Sequence, residues 1–175
     1  MTRPDRIRKP IKKTVFRLFF WDSRVNYLKE LMKGRPELKT ITSSKLAELQ
    51  VEAAGKPRLR TNYNLHEQLE DPIQRLCITG ERDTVFPPHR HIGKWELVTI
   101  LKGSLTLYTY NDKGEVLEKV DMEPGGENLV AEIPVGAWHN CVFHESGTAF
   151  LEVKRGPYLP FTPEEMAPFS GVKPQ

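Results

Sequence analysis

Four side chains carry the chemistry this sequence offers: His89, His91, Glu96 and His139. The first three stand in Pro88-His89-Arg90-His91-Ile92-Gly93-Lys94-Trp95-Glu96, and six residues separate Glu96 from Gly103. The fourth closes Pro134-Val135-Gly136-Ala137-Trp138-His139. Residues two apart on a strand face the same side, so His89 and His91 can point inward together. A turn over 92–94 brings Glu96 alongside from the next strand, and a proline–glycine turn aims His139 inward from another. Three imidazoles and one carboxylate form a borderline-hard donor set. It suits one divalent ion of Fe, Mn, Zn, Ni or Co and leaves positions open for water or substrate. An HxH pair standing alone is more often surface or core histidine; here the spaced glutamate and the downstream PxGxxH point to a metal.

The elements that must position these residues are strands. From residue 60 the hydrophobic period is two, and it predicts strands at Ile73–Ile78, Val85–His91, Trp95–Lys102, Ser104–Tyr110, Val116–Met122, Asn128–Ile133, Asn140–Phe143 and Ala149–Lys154. Turns follow at Asn111-Asp112-Lys113-Gly114, Pro124-Gly125-Gly126 and Pro134-Val135-Gly136. Short strands with a turn about every ten residues predict a mainly β fold, a single jelly-roll barrel. Ahead of it, Thr40-Ile41-Thr42 reads as a short strand. Ser43 or Ser44 then caps a helix through about Ala54, with Leu46, Leu49 and Ala53 facing the core and Gly55 and Pro57 ending it. Residues 14–33 read as a short amphipathic helix. The tail from Gly156 reads as packed coil, with Tyr158 either closing the barrel mouth or joining the core.

The chain has 175 residues, and 38% are apolar, which is enough for one domain with a buried core. Three parts are expected: a basic extension over 1–38, partly disordered or helical; a barrel domain over 39–170; and a tail over 171–175. The net charge of +3 is uneven: residues 1–38 hold 11 Lys/Arg against 4 Asp/Glu, while the rest hold 15 against 19. The mildly acidic body argues against a nucleic-acid partner. The basic arm is read as a solvated tail, as a docking element for membrane phosphates or an acidic partner, or as sequence ahead of a translation start at Met32. Cys77 and Cys141 lie in apolar surroundings, which predicts buried reduced thiols. The sequence shows no transmembrane run and no secretory signal, so the cytoplasm is the expected compartment.

The two histidine segments resemble the two cupin motifs, G-x5-HxH-x3/4-E-x6-G and G-x5-PxG-x2-H-x3-N. This chain departs at Gly80, at Asn128 and at Phe143, none of them a ligand position. Over roughly residues 40–169 a narrower set resembles the WbuC family of cupin-fold metalloproteins. It comprises Pro57-Arg58-Leu59-Arg60, Asn64-Leu65-His66, Asp71-Pro72-Ile73-Gln74-Arg75, Pro88-His89-Arg90-His91, Lys94-Trp95-Glu96 and Glu152-Val153-Lys154-Arg155-Gly156-Pro157-Tyr158. The resemblance implies a metal-bound bacterial cupin. It also implies a link to surface-polysaccharide synthesis, and a homodimer paired through sheet edges.

Polar residues beside the strands supply substrate-binding candidates: Arg60, Asn64, Arg75 and Lys154. Arginine clamps planar anions with paired hydrogen bonds, although each of these side chains also fits an ordinary ion pair or turn anchor. Arg60, Asn62 and Asn64 share one face by parity; Gln74 and Arg75 face opposite sides. With Glu96 used as a ligand, a free base would be His66, Tyr108 or Tyr110. Trp95 and Trp138 are expected to pack behind the ligands, and His144 to be exposed. Two functions fit. One is a metal-dependent enzyme, an isomerase or epimerase or else a dioxygenase, acting on a small polar molecule such as a sugar or nucleotide-sugar derivative. The other is a non-catalytic module that binds a sugar or carboxylate through its metal.

Overall fold

The computed structural model describes residues 38–169. The extension, the helix expected over 14–33 and the last residues lie outside that range. Helix α1 spans Ser43–Ala54. Its cap is Thr42, whose Oγ1 accepts from the Lys45 amide at 3.1 Å, so Ser43 and Ser44 are already helical. Thr40–Thr42 consequently forms no strand: the segment ends in a helix cap and pairs with no other strand. Leu46, Leu49 and Ala53 are buried as their spacing requires. Leu46 and Leu49 pack on Cys77 and Ala149, on the outer face of the larger sheet.

Eight strands follow: β1 Arg60–Asn64, β2 Ile73–Gly80, β3 Glu96–Lys102, β4 Leu105–Tyr110, β5 Val116–Met122, β6 Val130–Ile133, β7 Trp138–Phe143 and β8 Thr148–Arg155. They form two antiparallel sheets, in the orders β1-β2-β8-β3-β6 and β5-β4-β7. The inner faces meet in one core. Val98, Ile100, Ile133 and Phe150 come from the first sheet, and Leu105, Leu107, Met122, Cys141 and Phe143 from the second. Each fully buried side chain of this size contributes roughly 1.5–3 kcal/mol. The result is the mainly β jelly-roll barrel that the strand pattern predicts. Both cysteines are buried and unpaired. Among the described residues no helix is long and apolar enough to cross a membrane.

Two strand assignments change. Val85–His91 is not a strand. Pro87 and Pro88 remove consecutive amide donors, and His89 alone bridges, to His139 on one side and to Met166 on the other. This segment closes the gap between the two sheet edges. Arg60 donates to Val85 O at 2.6 Å, and Asn140 donates to Phe86 O at 3.0 Å. Conversely, β1 was visible in the sequence only as the alternation of Arg60, Asn62 and Asn64. Between Gly156 and Phe169 the chain is irregular except for a short 3-10 turn at Pro163–Glu165 and the single bridge at Met166.

Candidate metal centre

The barrel parity turns four ligand atoms toward one point. Glu96 opens β3 and shares its inner face with Val98 and Ile100; His139 sits on β7 in line with Cys141 and Phe143. His89 and His91 ride on the closing segment, and His89 is tied to His139 by a reciprocal pair of backbone hydrogen bonds at 2.9 and 2.8 Å. One donor atom from each of His89, His91, Glu96 and His139 lies within 4.8 Å of all the others. His91, Glu96 and His139 are buried, and His89 is partly buried.

Backbone carbonyls orient two of the rings. Nδ1–H of His89 donates to Pro87 O at 2.9 Å, and Nδ1–H of His139 donates to Ala137 O, also at 2.9 Å. Each Nε2 is then left with a lone pair. Glu96 Oε2 lies 3.0 Å from His91 Nε2 and 3.2 Å from His139 Nε2. His91 Nε2 and Glu96 Oε2 are nevertheless buried without a hydrogen bond. Buried lone pairs aimed at one another are costly unless a proton or cation lies among them. The donor set fits a divalent metal.

The electrostatics agree. Burial first, then the neighbouring His139, pushes the His89 imidazole down to about 3, so it stays neutral as a ligand must. Burial opposes the charge on Glu96, but Lys154 above all, then Glu152 and the two imidazoles, hold its carboxyl well below the usual range. Glu152 goes the other way: burial and the Glu96 charge beside it keep its carboxyl protonated well above the usual range. For Lys154 burial disfavours the ammonium, but Glu152 and Glu96 more than compensate and raise it.

The four polar candidates fall in different places. Lys154 is on the inner face at the cluster; its Nζ is 2.6 Å from Glu152 Oε1 and 3.7 Å from Glu96 Oε1. Arg60 lies over the Phe86 ring at 4.3 Å and donates to Thr84 and Val85, bracing the closing segment. Asn64 shares the inner-face parity, but β1 is an edge strand, so Asn64 is exposed and accepts from Asn62 at 2.6 Å. Arg75 is on the outer face, exposed, with Asp71 at 3.7 Å. Its neighbour Gln74 is the inward one, tied to Leu69 O and Asp71 O.

None of the three candidate bases joins the cluster. His66 is buried, and its Nδ1 accepts from the Arg75 amide at 3.0 Å. Tyr108 and Tyr110 alternate with the core residues Leu105 and Leu107 and so face outward, where Tyr110 donates to Asn140. Trp138 is buried as expected, with Arg90 over its ring, whereas Trp95 stands at the surface. His144 is exposed and meets Thr106 at 2.6 Å. Two features escaped the sequence reading. Phe161 from the C-terminal segment lies against His89 and His91. A hollow of 510 Å³ between the β4–β5 hairpin and the β6–β7 turn is lined by Thr109, Asp112, Glu118 and Trp138 among others; none of the four clustered residues lines it.

Comparison with known proteins gives the following. A family described as "Domain of unknown function (DUF6016)" matches residues 41–122. No curated protein matches. Among solved structures, KdgF from Halomonas sp. is 16% identical with a TM-score of 0.47, over 60% of this chain and 85% of that one. A conserved protein of unknown function from Streptococcus pyogenes is 14% identical with a TM-score of 0.47, over 72% and 95%. A cupin-2 domain protein from Shewanella frigidimarina is 14% identical with a TM-score of 0.42, over 55% and 80%.

Proposed function

We propose that this chain is a metal-dependent cupin of the WbuC type. In this reading His89, His91, Glu96 and His139 hold one divalent ion, and the protein acts on a small polar molecule of the sugar or nucleotide-sugar class. The observation that carries the reading is the convergence of four donor atoms within 4.8 Å, with two imidazole tautomers fixed by backbone carbonyls. Bound there, the ion supplies Lewis acidity or a place for oxygen chemistry. The chain's own residues do the rest. Pro87 O and Ala137 O orient the rings, burial keeps His89 neutral, and Lys154 and Glu152 set the charge around Glu96. Asn64, on the inner face and open to solvent, is the polar residue best placed to meet a ligand at the rim.

A second reading, a non-catalytic module that grips a sugar or carboxylate through its metal, is favoured by one observation. His66, Tyr108 and Tyr110 do not face the cluster, so proton transfer has no evident free base among them.

The test is elemental analysis of untagged protein beside a His89→Ala/His139→Ala variant. About one equivalent of metal in the wild type, lost in the variant, is expected. Iron would direct assays toward oxygen chemistry; zinc, nickel or manganese toward isomerisation or epimerisation. If the folded wild type neither holds nor takes up any of these ions, the reading fails.

A further inference from the structure

Glu96 and Lys154 are register partners across β3 and β8, and Glu152 stands opposite Val98 one step along the same inner face. The Lys154 ammonium lies between two buried carboxyl groups, 2.6 Å from Glu152 Oε1 and 3.7 Å from Glu96 Oε1, with the lysine side chain only 19% exposed. Pairing with a buried carboxyl oxygen is an ordinary task for such a lysine, and Glu152 alone would meet it. The second contact is more specific. It reaches the Glu96 oxygen that is turned away from the imidazoles, while Oε2 faces His91 and His139. Lys154 is also too enclosed, and too fully paired, to serve an incoming substrate.

We infer that Lys154 is a positioning residue of the metal centre: by engaging Oε1 of Glu96 it presents Oε2 as the single carboxylate oxygen to the ion and so fixes the coordination number. This rests on the metal-binding reading above. A bidentate Glu96 would have to rotate Oε1 toward the ion and abandon a buried charge contact, which is costly. One carboxylate oxygen and three imidazole nitrogens leave room for an exogenous ligand; a bidentate carboxylate would fill part of it.

The test uses the full chain loaded with Co(II), whose visible absorption weakens several-fold as coordination number rises. It is paired with X-ray absorption of the zinc-loaded wild type to read the carboxylate mode directly. Lys154→Met alone also removes the partner of Glu152 Oε1, so the deciding variant is Lys154→Met/Glu152→Gln, read against Glu152→Gln alone, which keeps the lysine on Glu96 and is expected to keep the wild-type band. The inference expects monodentate Glu96 in the wild type, a several-fold weaker Co(II) band in the double variant, and the wild-type band in Lys154→Arg. A double variant with the wild-type band overturns it, because Lys154 would then serve Glu152 only. A bidentate Glu96 in the wild type overturns it without any variant. Failure of the wild type to bind Co(II) removes the metal reading itself, an outcome distinct from both.

Discussion

The ring of Phe161 lies nearly parallel to that of His91, at 16° and 5.5 Å between centroids, and meets His89 edge-on at 4.8 Å. Phe161 is 47% exposed, so its other side faces solvent. An apolar ring between two of the clustered imidazoles and water would limit the size of what reaches an ion held there. Phe161→Ala is therefore expected to leave azide binding to the Co(II)-loaded protein within about twofold. The same change should tighten 4-phenylimidazole binding by about tenfold, which is about 1.4 kcal/mol. Spectrophotometric titration of both probes checks this. Equal affinities for the bulky probe in wild type and variant would show that the approach to the ion runs elsewhere.

The cluster of His89, His91, Glu96 and His139 was legible because the spacing of the first three and the proline–glycine turn before the fourth are local signals. His89 and His91 share a parity, and the turn before His139 fixes where its strand begins. The surroundings were not legible, because they depend on register between distant segments. Lys154 read as a substrate contact, and only the pairing of β3 with β8 reveals that it faces Glu96. Val85–His91 carried a strand-like pattern, but Pro87 and Pro88 cannot donate to a ladder. Phe161 belongs to a stretch with no periodicity, where nothing in the sequence says which surface it will cover. Arg75 and Gln74 show the limit of parity alone: opposite faces were foreseeable, but which one entered the barrel was not.

The metal-free protein should lose stability in acid through His89. Its imidazole sits at about 3 in the fold against 6.5 when free. Between those values the unfolded chain takes up a proton that the folded chain refuses, so stability falls as pH falls. Above 6.5 both states are neutral and this contribution is fully present. From about pH 7 to about pH 4 the expected loss from His89 is about 3 kcal/mol. Urea unfolding of chelator-treated protein at a series of pH values measures it, and His89→Gln should flatten the curve over that window. An unchanged slope in His89→Gln would assign the acid sensitivity to other groups.

Gly103, the last position of the first histidine motif, has a structural explanation. It adopts φ +71°, and a Cβ there would lie 2.5 Å from Thr148 Oγ1 and 2.8 Å from Thr148 Cα. Left-handed backbone and contact with another strand both exclude a side chain. Gly103→Ala is expected to destabilise by about 2–4 kcal/mol, from strain and the forced separation of β8. Thermal unfolding with and without metal reads the effect. A loss below about 1 kcal/mol would mean that the β3–β4 turn relaxes freely.

Glu165 holds the segment that carries His89 and His91. Its Oε1 accepts from the Ile92 amide at 3.2 Å and its Oε2 from the Thr162 amide at 3.0 Å. On either side, Arg90 N donates to Glu165 O at 2.9 Å and Ala167 N to Pro88 O at 3.0 Å. The His89–His91 segment is thus braced by the C-terminal chain on one side and by His139 on the other, in place of the strand pairing its prolines forbid. Removing the carboxylate leaves the barrel core untouched, so Glu165→Ala should cost only about 1 kcal/mol of global stability. The loosened segment should still weaken metal binding by roughly tenfold, since partners that orient ligands typically matter at that scale. Glu165→Gln, which keeps an acceptor for the Ile92 amide, should recover most of that affinity. Competition with a chelator measures all three proteins. If Glu165→Ala binds metal as the wild type does, the backbone bridges at His89 suffice to hold the ligands.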